Sequence, residues 1–188
     1  MTHLFAYRPA VIAMMTLALS ACGMFTASAP PPPCPDVSVL GDAAILTKFI
    51  EGRGRDLTDV LYEARLVDAA GACDYNVKKE TGEGTLAVEM AVSMEMARGP
   101  ANRDGKALVH YFVAVTGKNQ EVLNKQDFAG TVEFTGNRSQ LRWTDEPVYL
   151  SIPLKKGQAG SDFRIYVGYD LNQEELEFNR KQASGTRR

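Results

Sequence analysis

The sequence predicts an all-β domain, an antiparallel β-sandwich of the immunoglobulin or fibronectin type III kind with a short C-terminal helix. Residues 85–96 alternate apolar with small or acidic side chains, and this period of two is typical of a half-buried strand. Other β-branched and aromatic runs follow at short intervals, separated by Gly, Asn, Asp or Pro. We therefore expect roughly seven to nine strands in two packed sheets.

The first 21 residues have the order of a secretory signal peptide. His3 and Arg8 precede an apolar stretch that starts near Val11, and this stretch is too short for a stable membrane-spanning helix. Its end, Leu19-Ser20-Ala21-Cys22, matches the bacterial lipobox, so the chain resembles a lipoprotein. The resemblance implies that Cys22 is acylated and becomes the first residue of the mature chain. The alternatives are an ordinary signal peptide and an uncleaved anchor.

A lipid anchor at Cys22 predicts a location in the cell envelope, with the protein attached to the membrane and facing the periplasm. Gly23 follows the cysteine instead of an acidic residue, and this favours the outer membrane over the inner membrane. Residues 22–33 then form a tether whose last four residues are prolines, which favour an extended polyproline II conformation. A disordered remnant of processing is the other interpretation of this segment.

The folded domain is expected over residues 34–180, followed by a polar tail at 181–188. The formal net charge of the whole chain is −2, and the few basic residues that cluster lie at its C-terminal end. Nucleic-acid binding needs clustered Lys and Arg that face phosphates, so we do not expect a nucleic-acid partner.

Two cysteines remain once Cys22 is assigned to lipid, namely Cys34 and Cys73. An even number of cysteines in an exported chain favours a disulfide, which in the chain-entropy model stabilises by roughly 4 kcal/mol. The alternative is a reactive thiol or a metal site. His110 is the only histidine left after processing, and no pair of cysteines has metal-ligand spacing, so we expect neither a metal nor a cofactor.

The strands are assigned from the apolar pattern. Beyond residues 85–96, the predicted strands are 37–40, 59–67, 107–116, 121–126, 130–135, 140–143, 148–154 and 163–171. A turn is predicted at residues 71–74, around Cys73. The methionines of residues 85–96 could suggest a soft-metal site, but Leu and Val share their face and favour core packing.

Two segments fit the strand pattern poorly. Asp42 could cap a short helix through Ile50, although an extended segment is also compatible with the residues. Residues 172–175, Asn-Gln-Glu-Glu, resemble a capping box, so we expect a helix from Gln173 to about Arg180 that covers an end or edge of the sandwich.

Several blocks resemble an uncharacterised family of alphaproteobacterial lipoproteins. They are residues 34–40 (CPDVSVL), 54–60 (GRDLTDV), 111–115 (YFVAV) and 167–171 (VGYDL), and the likeness spans nearly the whole mature domain. The resemblance implies an envelope location and this fold. It carries no activity, ligand or partner.

The sequence contains no motif that predicts catalysis. It lacks the nucleophile elbow, the P-loop and the zinc-protease motif, so we do not expect an enzyme. His110 could act as a base. Its side chain should lie on the other face of the strand from Val109 and Tyr111, and such a strand histidine is more often hydrogen-bonded or partly exposed. The candidate recognition loop contains Arg53, Arg55 and Asp56, where two cations and a carboxylate follow a hydrophobic segment. The alternative for this loop is a structural ion pair between Arg55 and Asp56.

Three functional classes remain open. The first is a non-catalytic envelope lipoprotein that binds or scaffolds another envelope protein. The second is a periplasmic carrier of a small ligand or lipid, which would need an apolar cavity between the sheets. The third is a hydrolase with an unrecognised site, which would need a cleft with convergent polar groups.

Overall fold

The structure is a computed structural model that describes residues 32–52 and 55–185. The predictions for the signal peptide, Cys22, most of the tether, Arg53 and residues 186–188 lie outside the described residues. Nine strands occur in the described part. They are β1 (Asp36–Val39), β2 (Ile45–Phe49), β3 (Val60–Val77), β4 (Gly84–Arg98), β5 (Lys106–Thr116), β6 (Val122–Glu133), β7 (Gln140–Thr144), β8 (Val148–Leu154) and β9 (Arg164–Tyr169). One α-helix, α1 (Gln173–Gly185), follows them.

The strands form two sheets that pack face to face. The first sheet has the order β1-β9-β5-β6, in which β1 and β9 are parallel and the other neighbours are antiparallel. The second sheet has the order β2-β3-β4, and both β7 and β8 pair with the far side of β4. This arrangement confirms the all-β sandwich with a C-terminal helix.

The core lies between the two sheets. Alternate residues of β4 point inward and are buried, as their sequence pattern predicts: Leu86, Val88, Met90, Val92, Met94 and Met96. Inward residues of β5 and β9 face them from the first sheet: Val109, Tyr111, Val113, Ile165, Val167 and Tyr169. The methionines are therefore core residues, and their burial removes apolar surface from water.

The chain enters the sandwich at one end of the strands. Cys34 forms a disulfide with Cys73 of β3, which confirms the predicted bridge. The Tyr75 hydroxyl donates a hydrogen bond to the Pro33 carbonyl at 2.6 Å and accepts one from the Gly160 amide at 2.5 Å. A Cβ at Gly160 would collide with the Pro33 carbonyl, so glycine permits this close approach. These contacts fix the last residues of the tether to the domain.

The prediction of a turn around Cys73 is wrong. Strand β3 continues to Val77, and Cys73 lies opposite Val88 of β4. Residues 69–72 are Ala-Ala-Gly-Ala, which have low β-propensity, so the local sequence does not indicate that the strand continues into the predicted turn at 71–74. These four residues pair with residues 89–92 of β4, and a bulge between Leu66 and Asp68 shifts the register of the two strands by one residue.

Of the two interpretations left open for residues 42–50, the extended one is confirmed: a short 3-10 turn at Gly41–Ala43 leads into strand β2. One strand boundary differs from the prediction. The predicted strands 121–126 and 130–135 are one strand, β6, because residues 127–130 pair continuously with β5. Gly130 lies inside this strand, where the absence of a side chain provides space for the Trp143 indole.

Helix α1 begins with the predicted capping box. The Glu175 amide donates to the Asn172 side chain at 2.9 Å, and the Asn172 amide donates to the Glu175 carboxylate at 3.0 Å. The helix continues to Gly185, so residues 181–185 are helical although a tail was predicted. The Asn179 side chain donates to the Ile45 carbonyl at 2.7 Å, which places α1 along edge strand β2. No helix in residues 32–52 and 55–185 is long and apolar enough to cross a membrane.

Candidate recognition groove

A groove of about 590 Å³ lies between α1 and the strands β2 and β3. Its apolar lining includes Ile45, Phe49, Leu57, Val60 and Phe178, and its charged rim includes Arg55 and Asp56. We call these seven residues the recognition groove. The groove contains both described residues of the loop that the sequence singled out.

The groove is far from the point where the chain enters the domain. Phe49 pairs with Val60 at the start of β3, whereas the disulfide cysteine Cys73 lies thirteen residues further along the same strand. An extended strand rises about 3.3 Å per residue, so the separation along β3 is roughly 40 Å. The groove and Cys34, where the described chain enters the domain, therefore lie towards opposite ends of β3.

Arg55 connects the loop to the start of α1. Its guanidinium forms an ion pair with the Glu174 carboxylate and donates a second hydrogen bond to the Glu174 carbonyl at 3.2 Å. It also lies 5.7 Å from the centre of the Phe49 ring, within the range of a cation–π contact. The carboxylate partner of Arg55 is thus Glu174, and the alternative pair with Asp56 does not form.

Sequence reasoning missed this pairing because Arg55 and Glu174 are 119 positions apart. The capping box did indicate that an acidic first turn begins at residue 173, where carboxylates favour the positive end of the helix dipole. Nothing in the sequence showed that the loop packs against this turn.

Asp56 and Leu57 are presented to solvent. The Asp56 carbonyl accepts a hydrogen bond from the Asp59 amide at 2.9 Å, which closes a short 3-10 turn at Leu57–Asp59. Within the described residues the Asp56 carboxylate has no hydrogen-bond or ion-pair partner. Leu57 is 87% exposed, more than any other large apolar side chain in the described part of the chain. The turn thus holds an apolar and an acidic side chain next to each other at the groove.

Contacts between α1 and β2 fix the shape of the groove. Phe49 and Phe178 meet edge to face with ring centroids 5.2 Å apart, a favourable aromatic arrangement. Lys48 forms an ion pair with the largely buried Glu175 at 3.0 Å. Arg180 pairs with Asp42 at 3.0 Å near the other end of the groove. These contacts hold the helix in place and fix the shape of the groove.

His110 lies in a different cleft. This cleft, of about 460 Å³, has an apolar floor that includes Leu46 and Leu61, and Tyr62, His110 and Asp170 are among its polar residues. His110 is exposed on the outer face of β5, as its alternation with Val109 and Tyr111 predicts. Its side chain has no hydrogen bond to an acidic residue within the described residues, so no base with an orienting carboxylate is assembled here.

Two buried tyrosines donate hydrogen bonds that stabilise the fold. Tyr62 donates a hydrogen bond to the Leu108 carbonyl, and burial is the largest cause that raises the pKa of Tyr62 to about 12. Tyr111 donates to the Asp145 carboxylate at 2.7 Å. Burial, and then this hydrogen bond, raise the pKa of Tyr111. Both hydroxyls therefore remain protonated at neutral pH.

In the part of the chain that the structure describes, no group of three or more His, Cys, Asp or Glu side chains is placed to hold a metal ion. Comparison with known proteins adds no relative, since no family model, no curated protein and no solved structure matches the chain.

Proposed function

We propose that the protein is a lipid-anchored lipoprotein of the cell envelope whose β-sandwich binds another envelope protein through the recognition groove. The lipobox that ends at Cys22 and the proline tether support the anchor, and Gly23 favours the outer membrane. The observation that carries the binding role is the 87% exposure of Leu57, beside the Asp56 carboxylate, which has no partner among the described residues.

Burial of the exposed Leu57 side chain in an interface would supply part of the binding free energy. Full burial of a leucine side chain contributes roughly 2 kcal/mol, and interfaces depend on a few such anchors next to pockets of the partner. The Arg55 bonds to α1 reduce the freedom of the loop before binding, which lowers the entropy that a partner must remove. The partner would offer an apolar pocket to Leu57 and a cationic side chain to Asp56.

The position of the groove suits an anchored protein. The tether joins the domain at Cys34, at the opposite end of β3 from the groove. A partner in the groove would therefore lie away from the disulfide at Cys34. The resemblance to alphaproteobacterial lipoproteins agrees with this role as far as location is concerned.

Site-specific photo-crosslinking in intact cells tests the proposal. A crosslinking amino acid at position 57 should give a reproducible adduct with an envelope protein, because Leu57 would lie at the centre of the interface. Tyr149 is the matched control, since it is 66% exposed on β8, outside the groove. Equal adducts from both positions, or none from position 57, would overturn the proposal.

A second candidate function is a carrier of a small ligand or lipid. It is favoured by a cleft of about 550 Å³ between β6 and β8, whose apolar lining includes Leu123, Ile152 and Phe163. Native mass spectrometry of protein released gently from membranes separates the two candidates. A bound small molecule of constant mass would support the carrier, whereas protein without such a molecule would count against it.

A further inference from the structure

Strand β6 forms a long, uncovered edge of the first sheet. It has twelve residues, and β5 is its only partner strand in the described part of the chain. Its other side carries no backbone hydrogen bond to any described residue. Such an edge offers a row of free amide and carbonyl groups that can pair with another strand.

The edge strand on the other side of the sandwich, β2, is covered by a helix. This helix is α1, and its Asn179 binds the Ile45 carbonyl at the edge of β2. Among residues 32–52 and 55–185, no comparable element covers β6. At its start Val122 and Leu123 are 64% and 51% exposed. Of these two edge strands, β2 is therefore covered and β6 is available for pairing.

The residues at the middle of β6 are complementary to themselves. Lys125 and Asp127 lie on the outer face, on either side of Gln126, and their side chains are 2.6 Å apart. When two copies of this strand run antiparallel with Gln126 opposite Gln126, Lys125 of each copy lies opposite Asp127 of the other. Directly opposite residues share one face of the sheet, so all four charges would alternate in sign.

The position of Lys125 suits this pairing. Its ammonium lies 5.0 Å from the centre of the Phe112 ring, a contact that restricts the side chain to the outer face of the sheet. Both Lys125 and Asp127 are exposed, so neither charge must leave a buried site to meet a second copy.

We propose that β6 is a homodimer interface in which two copies of the chain pair antiparallel around Gln126. The two four-stranded sheets then join into one sheet of eight strands, with the outer faces on the same side. The recognition grooves lie on the far flanks, along β2 and α1, and remain open. The dimer does not depend on what binds the groove.

A charge swap tests the register. In the complete mature chain, purified in mild detergent, sedimentation velocity should show a dimer that dissociates on dilution. Either Lys125→Glu or Asp127→Lys places like charges opposite each other twice, and should weaken dimerisation by about tenfold or more. The double variant restores opposite charges and should restore the dimer. A wild-type monomer at every concentration, or single variants that dimerise normally, would overturn the proposal.

Cysteine crosslinking tests the same register in intact cells. Gln126→Cys places two thiols directly opposite each other, and mild oxidation should give a disulfide-linked dimer. Thr131→Cys is the matched control on the same strand: its counterpart would be ten residues away, roughly 33 Å along the strand. Crosslinking at 126 but not at 131 is the expected result. Equal crosslinking at both positions, or none at 126, contradicts the pairing.

Discussion

Residues in the candidate loop have different tasks. Arg55 is bound to Glu174 and lies near the Phe49 ring, so it holds the loop, whereas Asp56 has no side-chain partner among the described residues and Leu57 is exposed. The sequence placed Arg55 and Asp56 in one candidate recognition loop, but it could not separate their tasks. That separation depends on a contact with a helix far along the chain.

Asp56→Asn and Arg55→Ala should therefore have different effects. Asp56→Asn should leave the melting temperature unchanged because the carboxylate has no partner among the described residues, and it should weaken binding of the crosslinked partner. Arg55→Ala should cost about 0.5 kcal/mol of stability, since the ion pair is exposed, and should also weaken binding by loosening the loop. Thermal unfolding and a binding assay with the partner measure both effects. A clear loss of stability in Asp56→Asn would contradict the assignment.

The buried tyrosines predict a loss of stability at high pH. The pKa of Tyr62 is about 12 in the folded protein and near 10 in an unfolded chain, so the unfolded state loses its proton first. Stability is then fully present below pH 10 and falls as the pH rises from 10 to 12. Burial raises the pKa of Tyr169 in the same direction.

Tyr62→Phe should make this decline less steep. It should also cost about 1 kcal/mol at pH 7, because the Leu108 carbonyl loses its hydrogen bond. Urea unfolding of wild type and variant at pH 7 and from pH 10 to 12 gives both quantities. An identical decline in the two proteins would show that Tyr62 does not contribute to it.

At the scale of elements, strands with a clear period of two could be predicted from sequence. Strand β4 is the best case because every second residue from Leu86 to Met96 is buried. Strand β3 could not be delimited, since its alanine-rich second half is extended only through pairing with β4. The candidate groove was also hidden, because residues of β2 and α1 form it together. The local sequence pattern thus predicts those strands in which apolar and polar residues alternate.

The disulfide acts at the scale of elements because it joins the start of the domain to β3. Cys34→Ser or Cys73→Ser should lower the free energy of unfolding by roughly 2–4 kcal/mol and the melting temperature by several degrees. Binding at the groove should persist in the folded variant, since the bridge lies at the other end of β3. Calorimetry and the partner-binding assay check the two statements. A variant that melts normally but loses binding would reverse this interpretation.

At the scale of the whole molecule, the order of the strands within the sheets could not be predicted from the sequence. Strand β9 lies between β1 and β5, so the first and last strands of the domain are neighbours. This parallel pair places Asp36 beside Arg164 and brings both near the disulfide at Cys34. As a result, the chain enters at one end and the helix that follows β9 begins at the other. Such an order depends on long-range pairing, which no local pattern reports.

Acylation at Cys22 should be what retains the protein at the membrane. Cys22→Ala should release the protein from the membrane because it removes the site of acylation, and stable anchoring needs acyl chains at that terminus. The fold should be unchanged, since Cys22 precedes Cys34 by twelve positions and the sandwich is held by its own core. Cell fractionation with a fatty-acid probe measures the effect. Cys34→Ser is the matched control: it removes a cysteine beyond the tether and should leave labelling and membrane retention intact. Labelling that persists in Cys22→Ala would show that the lipid is not on this residue.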